Sequence, residues 1–526
     1  MTGGRDAPNT DAIVIGAGHN GLVAAAMLAG SGLRTVVIER NDRVGGCAVT
    51  EERWPGVMID TAAHGIGPLN PAVLRQLDLE GRGLRLIRPD PCVVSLRGED
   101  PPLTLWRDPK ASAEAIRPFS ARDAGRWADF CEAMSAAARS LAVLYDSIPP
   151  RVAGADRGDL WELARLGARL GRLGRHKALE LMRLIPMTIE ELLDEWFECE
   201  ALKGVVGAQG VRGIFQGPMA AGTAFVFLHG LVGGDGVIRS LSWPEGGAGA
   251  LSDTLASVAR DRGVEIRTGS GVTRILTRDG AAIGVALESG EELRAPVIAS
   301  SAGPGRTFLE LIDPLALSPD FVRKVRNIRY RGGVAKVNLV VGELRSLPAG
   351  GAVLAVAPDL EYVERAYDDA KYGSVSAAPT LEVLIPTALG PGRAPPGRHV
   401  LSVIAQYAPH ARRDGAWDDA RREELGDTVV STLDRHLPGL ADAVLHREVL
   451  TPVDLERRFG LTEGNIHHGE MTLDQVFIGR PVTGWARYRT PIEGLYVCGA
   501  GAHPGGGVTG WPGYNAAREI ISRRAR

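Results

Sequence analysis

The chain has 526 residues, a length that suits either one large composite fold of interleaved segments or several units of ordinary domain size. Hydrophobic residues make up 44% and charged residues 23%, a globular balance that excludes a disordered or fibrous chain. Sixty Lys and Arg stand against 63 Asp and Glu, a net charge of −3, so no global basic field exists to hold nucleic-acid phosphates. The five cysteines, Cys47, Cys92, Cys131, Cys199 and Cys498, are odd in number, far apart and never spaced C-x-x-C. A disulfide framework and a structural zinc site are both unsupported, no metal is expected, and a reducing, cytoplasmic setting is the default. The polar N-terminus carries no signal-peptide core, and no stretch reaches the roughly 18 apolar residues of a spanning helix. The expectation is a protein that is soluble or at most peripheral to a membrane.

In chain order, Asp11-Ala-Ile-Val-Ile15 reads as a short buried strand. Gly16-Ala-Gly18-His-Asn20-Gly21 follows, and Leu22 to Ala29 reads as a helix. This is G-x-G-x-x-G in a strand–turn–helix context. Gly16 permits the tight turn, Gly18 lets backbone approach a pyrophosphate, and Gly21 lets the helix pack on the strand, with the helix N-terminus supplying N–H groups. A second strand, Thr35 to Glu39, ends in a carboxylate 18 residues after Gly21, where Glu39 suits the hydroxyls of a ribose. Next comes the doublet Gly45-Gly46, which a plain NAD domain does not need.

At the far end, Gly494-Leu-Tyr-Val-Cys498 reads as a strand, Gly499 to Gly510 as a glycine loop and Trp511 to Ile521 as a helix. A backbone-lined loop running into a helix N-terminus suits an electron-rich group such as a reduced flavin.

The motifs D-A-I-V-I-G-A-G-H-N-G-L, D-R-V-G-G and G-L-Y-V-C-G-A-G-A-H-P-G-G-G-V resemble those of the FAD-dependent phytoene desaturase and amine oxidase superfamily. T-P-V-D-L-E at Thr451–Glu456, G-N-I-H-H-G at Gly464–Gly469 and Q-V-F-I-G-R-P at Gln475–Pro481 resemble one branch of it. That branch holds the pyridine nucleotide-disulphide oxidoreductase domain-containing protein 2 group and the bacterial phytoene dehydrogenase-like enzymes. The resemblance spans nearly the whole chain. It implies an α/β fold with a Rossmann-like FAD-binding domain of the glutathione-reductase and amine-oxidase type, assembled from discontinuous segments, and a mixed α+β substrate domain. The FAD-binding domain is expected from residues 1–90, 235–305 and 481–526. The substrate domain is expected from 91–234 and 306–480, with a helical subregion over about 110–230.

The same resemblance implies an extended FAD, with Gly16, Gly18, Asn20 and Gly21 at the pyrophosphate, Glu39 on the adenosine ribose and Arg40 beside it. Gly45 and Gly46 would continue the lining toward the flavin. His64 and Ile66 would reach the ring region, and Val272 would meet the adenine by its backbone. Gly499 and Ala500 would sit by the ribityl chain, and Gly507, Val508 and Thr509 by the isoalloxazine. Trp511-Pro512 and Tyr514 depart from the pattern, and Trp511 is expected to reshape the ring pocket.

No second dinucleotide motif is visible. The best candidate, Glu245-Gly-Gly-Ala-Gly249 entering a helix over Leu251–Arg262, does not match G-x-G-x-x-G. NAD(P)H is therefore not expected to reduce the flavin well, and the electrons are expected to leave for oxygen, a quinone or another acceptor. The substrate region reads as helices over Ser120–Leu144, Thr188–Gly204 and Asp418–Leu437 and strands over Val334–Val341 and Thr380–Pro386.

From Leu160 to Ile185, leucines recur at three and four while six basic residues outnumber two acidic ones. One reading is a basic amphipathic helix in peripheral contact with a membrane; the other is a core face opposite a solvated one. Among the histidines, His503 is the candidate to orient substrate or exchange a proton near the flavin.

The mechanism these features suggest is oxidation of an apolar or amphipathic substrate, a desaturation, by hydride transfer to flavin N5, with the protein positioning substrate and excluding water. The rivals are an amine or amino-acid oxidase on the same fold and a flavin-bearing interaction protein with little turnover.

Overall fold

The strands Ala12–Ile15 and Thr35–Ile38 are buried at every position, as strands covered on both faces must be, and they pair in parallel. The computed structural model describes residues 10–150, 157–234, 241–344 and 353–524. In it these two strands sit in a five-stranded parallel sheet ordered Leu495–Val497, Val297–Ser300, Ala12–Ile15, Thr35–Ile38, Glu265–Arg267. Strands from the two ends of the chain are thus separated by a single strand in one sheet. The helix His19–Gly30 packs against both Trp511–Arg524 and Ala248–Asp261. A small antiparallel sheet of Val272–Arg278, Ala281–Leu287 and Glu292–Arg294 lies outside the parallel one.

The second large sheet has seven strands in the order Val444–Leu450, Val334–Val341, His399–Gln406, Thr380–Leu384, Val353–Val356, Val93–Ser95, Leu103–Leu105. It is antiparallel except where Val353–Val356 runs parallel to Val93–Ser95. The mixed α+β substrate region expected from the sequence has this sheet on one side and a helical cluster on the other. That cluster is built on the 25-residue helix Ala121–Tyr145, whose Ser120 caps it by accepting from Asp123 N.

Two expected helices are each a pair. Thr188–Gly204 is divided into Ile189–Trp196 and Glu200–Gly207, with Phe197 extended between them. The buried carboxylate of Asp123 accepts the amides of Glu198 and Cys199 at 3.0 and 2.8 Å, which replaces the helical partners those amides would have had. The basic stretch 160–185 is Arg157–Leu173 followed by Arg175–Leu184, because Gly174 adopts φ 88° between them. Its apolar side chains divide: Leu181 and Leu184 are buried in the helical core, whereas Trp161 is 68% and Met182 69% exposed, and Leu160, Leu163 and Leu179 are exposed as well. No helix among the described residues is long and apolar enough to cross a membrane.

Candidate functional site

Three glycines of the first loop serve three different steric needs. A Cβ on Gly16 would lie 2.4 Å from Ser301 Oγ, and Gly16 itself has φ 91°. A Cβ on Gly21 would lie 2.0 Å from the Gly16 carbonyl oxygen, so Gly21 holds helix against turn. Gly18 has φ −68°, open to any residue, and its Cβ would meet no atom within 4 Å. That Cβ would project into a cleft. Gly18 caps the helix His19–Gly30 without any side-chain hydrogen bond, leaving the first-turn amides for an anion.

This cleft, about 170 Å³, is lined by Gly16, Gly18, Asn20, Gly21, Glu39, Arg40, Gly45, Gly46, Val272, Ala500, Gly507 and Val508. Asn20 also accepts from Gly513 N at 3.4 Å, tying the first helix to the last. Glu39 is held by Ala17 N at 2.7 Å and Asn41 N at 3.0 Å, one amide on each carboxylate oxygen, and retains lone pairs for a hydroxyl. Arg40 donates to the Arg458 carbonyl at 3.0 Å. Gly45 N donates to the Ala17 carbonyl, and Gly46 packs on Gly18, where a Cβ would be 3.3 Å from Gly18 Cα. The amides, the open glycine and the buried ribose-type acceptor fit the pyrophosphate and ribose of FAD.

The remaining candidates lie elsewhere. Gly499 is packed on Ser301, with no room for a Cβ, and lies behind the cleft wall. Ile66 is fully buried in the core around the parallel sheet, and its amide donates to the Ser242 carbonyl. His64 turns away from the cleft: its Nδ1 lies 2.9 Å from Ser402 Oγ and its Nε2 3.1 Å from Glu382 Oε1. His503 is not brought to the cleft or to the cavity beside it. It is buried against Tyr145, with Nε2 donating to the Leu144 carbonyl at 3.1 Å, and burial holds it near pKa 4. Trp511 does not reshape the ring pocket, because it turns into the helical core edge-on to Tyr145.

A second cavity of about 170 Å³ adjoins the cleft. The two share Cys47, Leu461, Ile466, Gly507 and Val508, and Thr509 and His64 line the cavity. Its wall is largely apolar, with Val226, Phe227, Leu231, Leu241, Val334 and Ile404. Phe227 is the one Phe, Tyr or Trp among its described lining residues, and no carboxylate is among them. Its charged members are Arg212 and Lys336.

Lys336 was not singled out by sequence reasoning, although one lysine inside V-A-K-V-N-L-V-V was the available signal. The residue is 1% exposed, and its ammonium group donates to the Ala63 carbonyl at 3.3 Å and to Ser402 Oγ. Burial pulls its pKa down to about 7 against the pull of Asp60 and Glu448. His229, also overlooked, donates from Nε2 to the Gly506 carbonyl at 3.1 Å, so its Nδ1 accepts from Tyr145 O–H at 2.6 Å. Burial lowers its pKa to about 4, which keeps the ring neutral. His229 thereby braces the glycine loop from beneath. Arg480 does so from another side, donating to the carbonyls of His467, Gly469, Glu470, Gln475 and Ala500.

The second glycine loop is closed to ligand. Asp60 accepts from Ala248 N at 3.1 Å and Thr50 Oγ1 from Gly249 N at 2.9 Å, so the N-terminal donors of Ala248–Asp261 are taken by the chain itself. A larger cleft of about 760 Å³, lined by Arg53, Arg422, Arg447, Arg457 and Arg458, pairs each of these arginines with an acidic residue. Among the described residues it offers no unpaired arginine to a ligand.

Comparison with known proteins agrees with this architecture. The family model described as flavin containing amine oxidoreductase matches residues 21–521. Pyridine nucleotide-disulfide oxidoreductase domain-containing protein 2 of Rattus norvegicus is 37% identical, over 98% of this chain and 94% of that protein. A subunit of the limonene dehydrogenase of Castellaniella defragrans is 28% identical over 97% of this chain and 94% of that protein. Among solved structures, cyclohexylamine oxidase from Brevibacterium oxydans shares the fold, with a TM-score of 0.56 and 17% identity, covering 99% of this chain and all of that one. The chain therefore belongs to the flavin containing amine oxidoreductase family and is an FAD-dependent oxidoreductase.

Proposed function

We propose that the protein desaturates an apolar or amphipathic substrate and passes the electrons to oxygen, a quinone or another acceptor. FAD, when bound, supplies the hydride acceptor. The observation that carries the reading is the cavity wall: apolar side chains, two basic groups and no carboxylate among the described lining residues. An ammonium substrate would meet like charge there and find neither a counter-ion nor a pair of facing aromatic rings. The limonene dehydrogenase relative, named for a hydrocarbon substrate, lends support. The chain's own residues then have defined tasks. The apolar wall binds the substrate and excludes water, His229 holds the glycine loop in place, and Lys336 in its neutral form takes the proton that leaves the carbon next to the hydride donor.

The test is anaerobic bleaching of the bound flavin by a panel of terpenes, carotenoids and long-chain acyl compounds, run beside a panel of amines and NADPH. Bleaching by an apolar compound is the expected result. Bleaching by an amine with stoichiometric peroxide after air is admitted would overturn the reading in favour of an amine oxidase.

The outward-facing apolar residues of 157–184 support docking of this face on an anionic lipid surface, with Arg165, Arg169, Arg172 and Lys177 beside them. Arg183 is already paired with Glu180 and Glu195. The protein is expected to co-sediment with phosphatidylglycerol vesicles and not with phosphatidylcholine vesicles, and the double variant Trp161→Glu, Met182→Glu should stay in solution. Absence of binding to the anionic vesicles at low salt would remove this docking.

A further inference from the structure

We propose that Arg212 and Gln209 form a clamp for a carboxylate head group, so that the substrate is an amphipathic acid whose apolar tail lies along the cavity wall. This inference rests on the reading of that cavity as the place where substrate binds, and it names which amphipathic compounds enter. The two residues stand three apart, Gln209 within the 3₁₀ turn Ala208–Val211 and Arg212 at its end. Roughly three residues complete one turn of such a helix, which brings side chains at this spacing into line, and both line the cavity.

The backbone that carries them is held in place. Gln406 donates from Nε2 to the carbonyls of Val211 and Ile214 and accepts from Gly213 N at 3.0 Å. The Arg212 carbonyl accepts from His467 Nε2 at 3.5 Å. The guanidinium stays charged at neutral pH, because burial lowers its pKa only to about 10. Its Nη2 donates to the His64 carbonyl at 3.4 Å, and Glu382 Oε1 lies 3.4 Å from the same nitrogen. Glu382 borders a separate cavity of about 20 Å³, which Arg212 also lines, and is absent from the wall of the larger one.

Nε and Nη1 of Arg212 donate to no protein group among the described residues, and the Gln209 side chain makes no hydrogen bond among them. Other polar groups of the wall are engaged. Both ring nitrogens of His229 are bonded, Lys336 donates to the Ala63 carbonyl and Ser402 Oγ, and Thr509 Oγ1 accepts from Trp511 N at 3.5 Å. Arg212 is thus a fixed cation with donors to spare in a largely apolar wall, where a hydrogen bond to an anion is strongest. The Gln209 amide adds a neutral donor, and the two oxygens of a carboxylate can accept from both side chains. An ester lacks the charge, and an ammonium brings only donors to a place already supplied with them.

The experiment is anaerobic calorimetric titration of the FAD-loaded protein with decanoate, methyl decanoate and decylamine at about pH 8.5, where Lys336, with its pKa near 7, is mostly uncharged and a preference for the acid reports on Arg212. The titration needs no turnover, so it can succeed although desaturation fails, and its failure leaves desaturation of a hydrocarbon standing. Decanoate is expected to bind about thirtyfold more tightly than its ester, and decylamine more weakly than either. Arg212→Gln should erase the preference for the acid while the ester binds as before. Gln209→Glu, which sets a carboxylate beside the guanidinium, should erase it too, and this variant carries the test if Arg212→Gln does not fold. Decanoate that fails to bind, wild-type protein that binds acid and ester alike, or a preference that survives either substitution would overturn the proposal. A solely structural Arg212 would weaken acid and ester together and leave their ratio in place, which overturns it as well.

Discussion

Gly18→Val is expected to fold like the wild type and to be isolated colourless. The backbone at Gly18 has φ −68° and ψ 167°, which valine adopts readily, and the added Cβ meets no protein atom within 4 Å. The side chain instead fills the space before the first-turn amides of His19–Gly30, where the pyrophosphate must approach. We expect FAD affinity to fall at least a hundredfold, about 3 kcal/mol, with the apo-protein's melting temperature unchanged to within a degree or two. Gly21→Val is the contrast. Its Cβ would sit 2.0 Å from the Gly16 carbonyl oxygen, a backbone atom that cannot yield, so the cost falls on the fold itself: several kcal/mol, read as a large drop in melting temperature even without cofactor. Equilibrium flavin titration and calorimetry on the two variants separate these effects. A Gly18→Val protein that takes up FAD normally would sink the placement of the pyrophosphate.

Lys336→Met is expected to stabilise the protein at neutral pH while slowing flavin reduction on the order of a thousandfold. In the folded chain, burial lowers the lysine's pKa from its ordinary 10.5 to about 7. Between these two values the unfolded state binds the proton more readily, so stability rises with pH across that window. The penalty is fully present below about pH 7 and has vanished by about 10.5. Its size is about 5 kcal/mol by linkage, and leaving Ala63 and Ser402 without a donor returns part of it, so a net gain of about 2 kcal/mol is expected at about pH 6. The gain should fade toward about pH 10. Melting curves of wild type and variant across that range give the first effect, and rapid-mixing reduction the second. A variant less stable than wild type on the acid side, or one that reduces its flavin at the wild-type rate, would mean that the amine is not carried at a cost for catalysis.

Much of the cofactor cleft is legible in the amino-acid sequence because its requirements are local. The turn at Gly16, the close approach at Gly18 and the packing of Gly21 all arise within six residues, and the loop Gly505–Val508 declares itself by composition in the same way. Thr188–Gly204 shows the limit of such reading. Its periodicity is continuous, yet the distant Asp123 takes two of its amides and breaks it. His503 stands in a cofactor-loop context and is plausible on that ground, but its ring is consumed by the Leu144 carbonyl, a partner that chain distance conceals.

The amino-acid sequence alone determined the FAD-dependent family and the glycine turns that lead into helices near the two ends of the chain, since backbone shape and helix polarity are short-range properties. Only the tertiary structure decided which polar groups meet at and beside the cavity next to the cleft. Lys336, His64, Ser402 and Glu382 lie on segments far apart along the chain, and each alone is an ordinary residue in or beside a strand. Burial in and around one cavity brings them within a few ångströms of one another, a consequence of long-range packing.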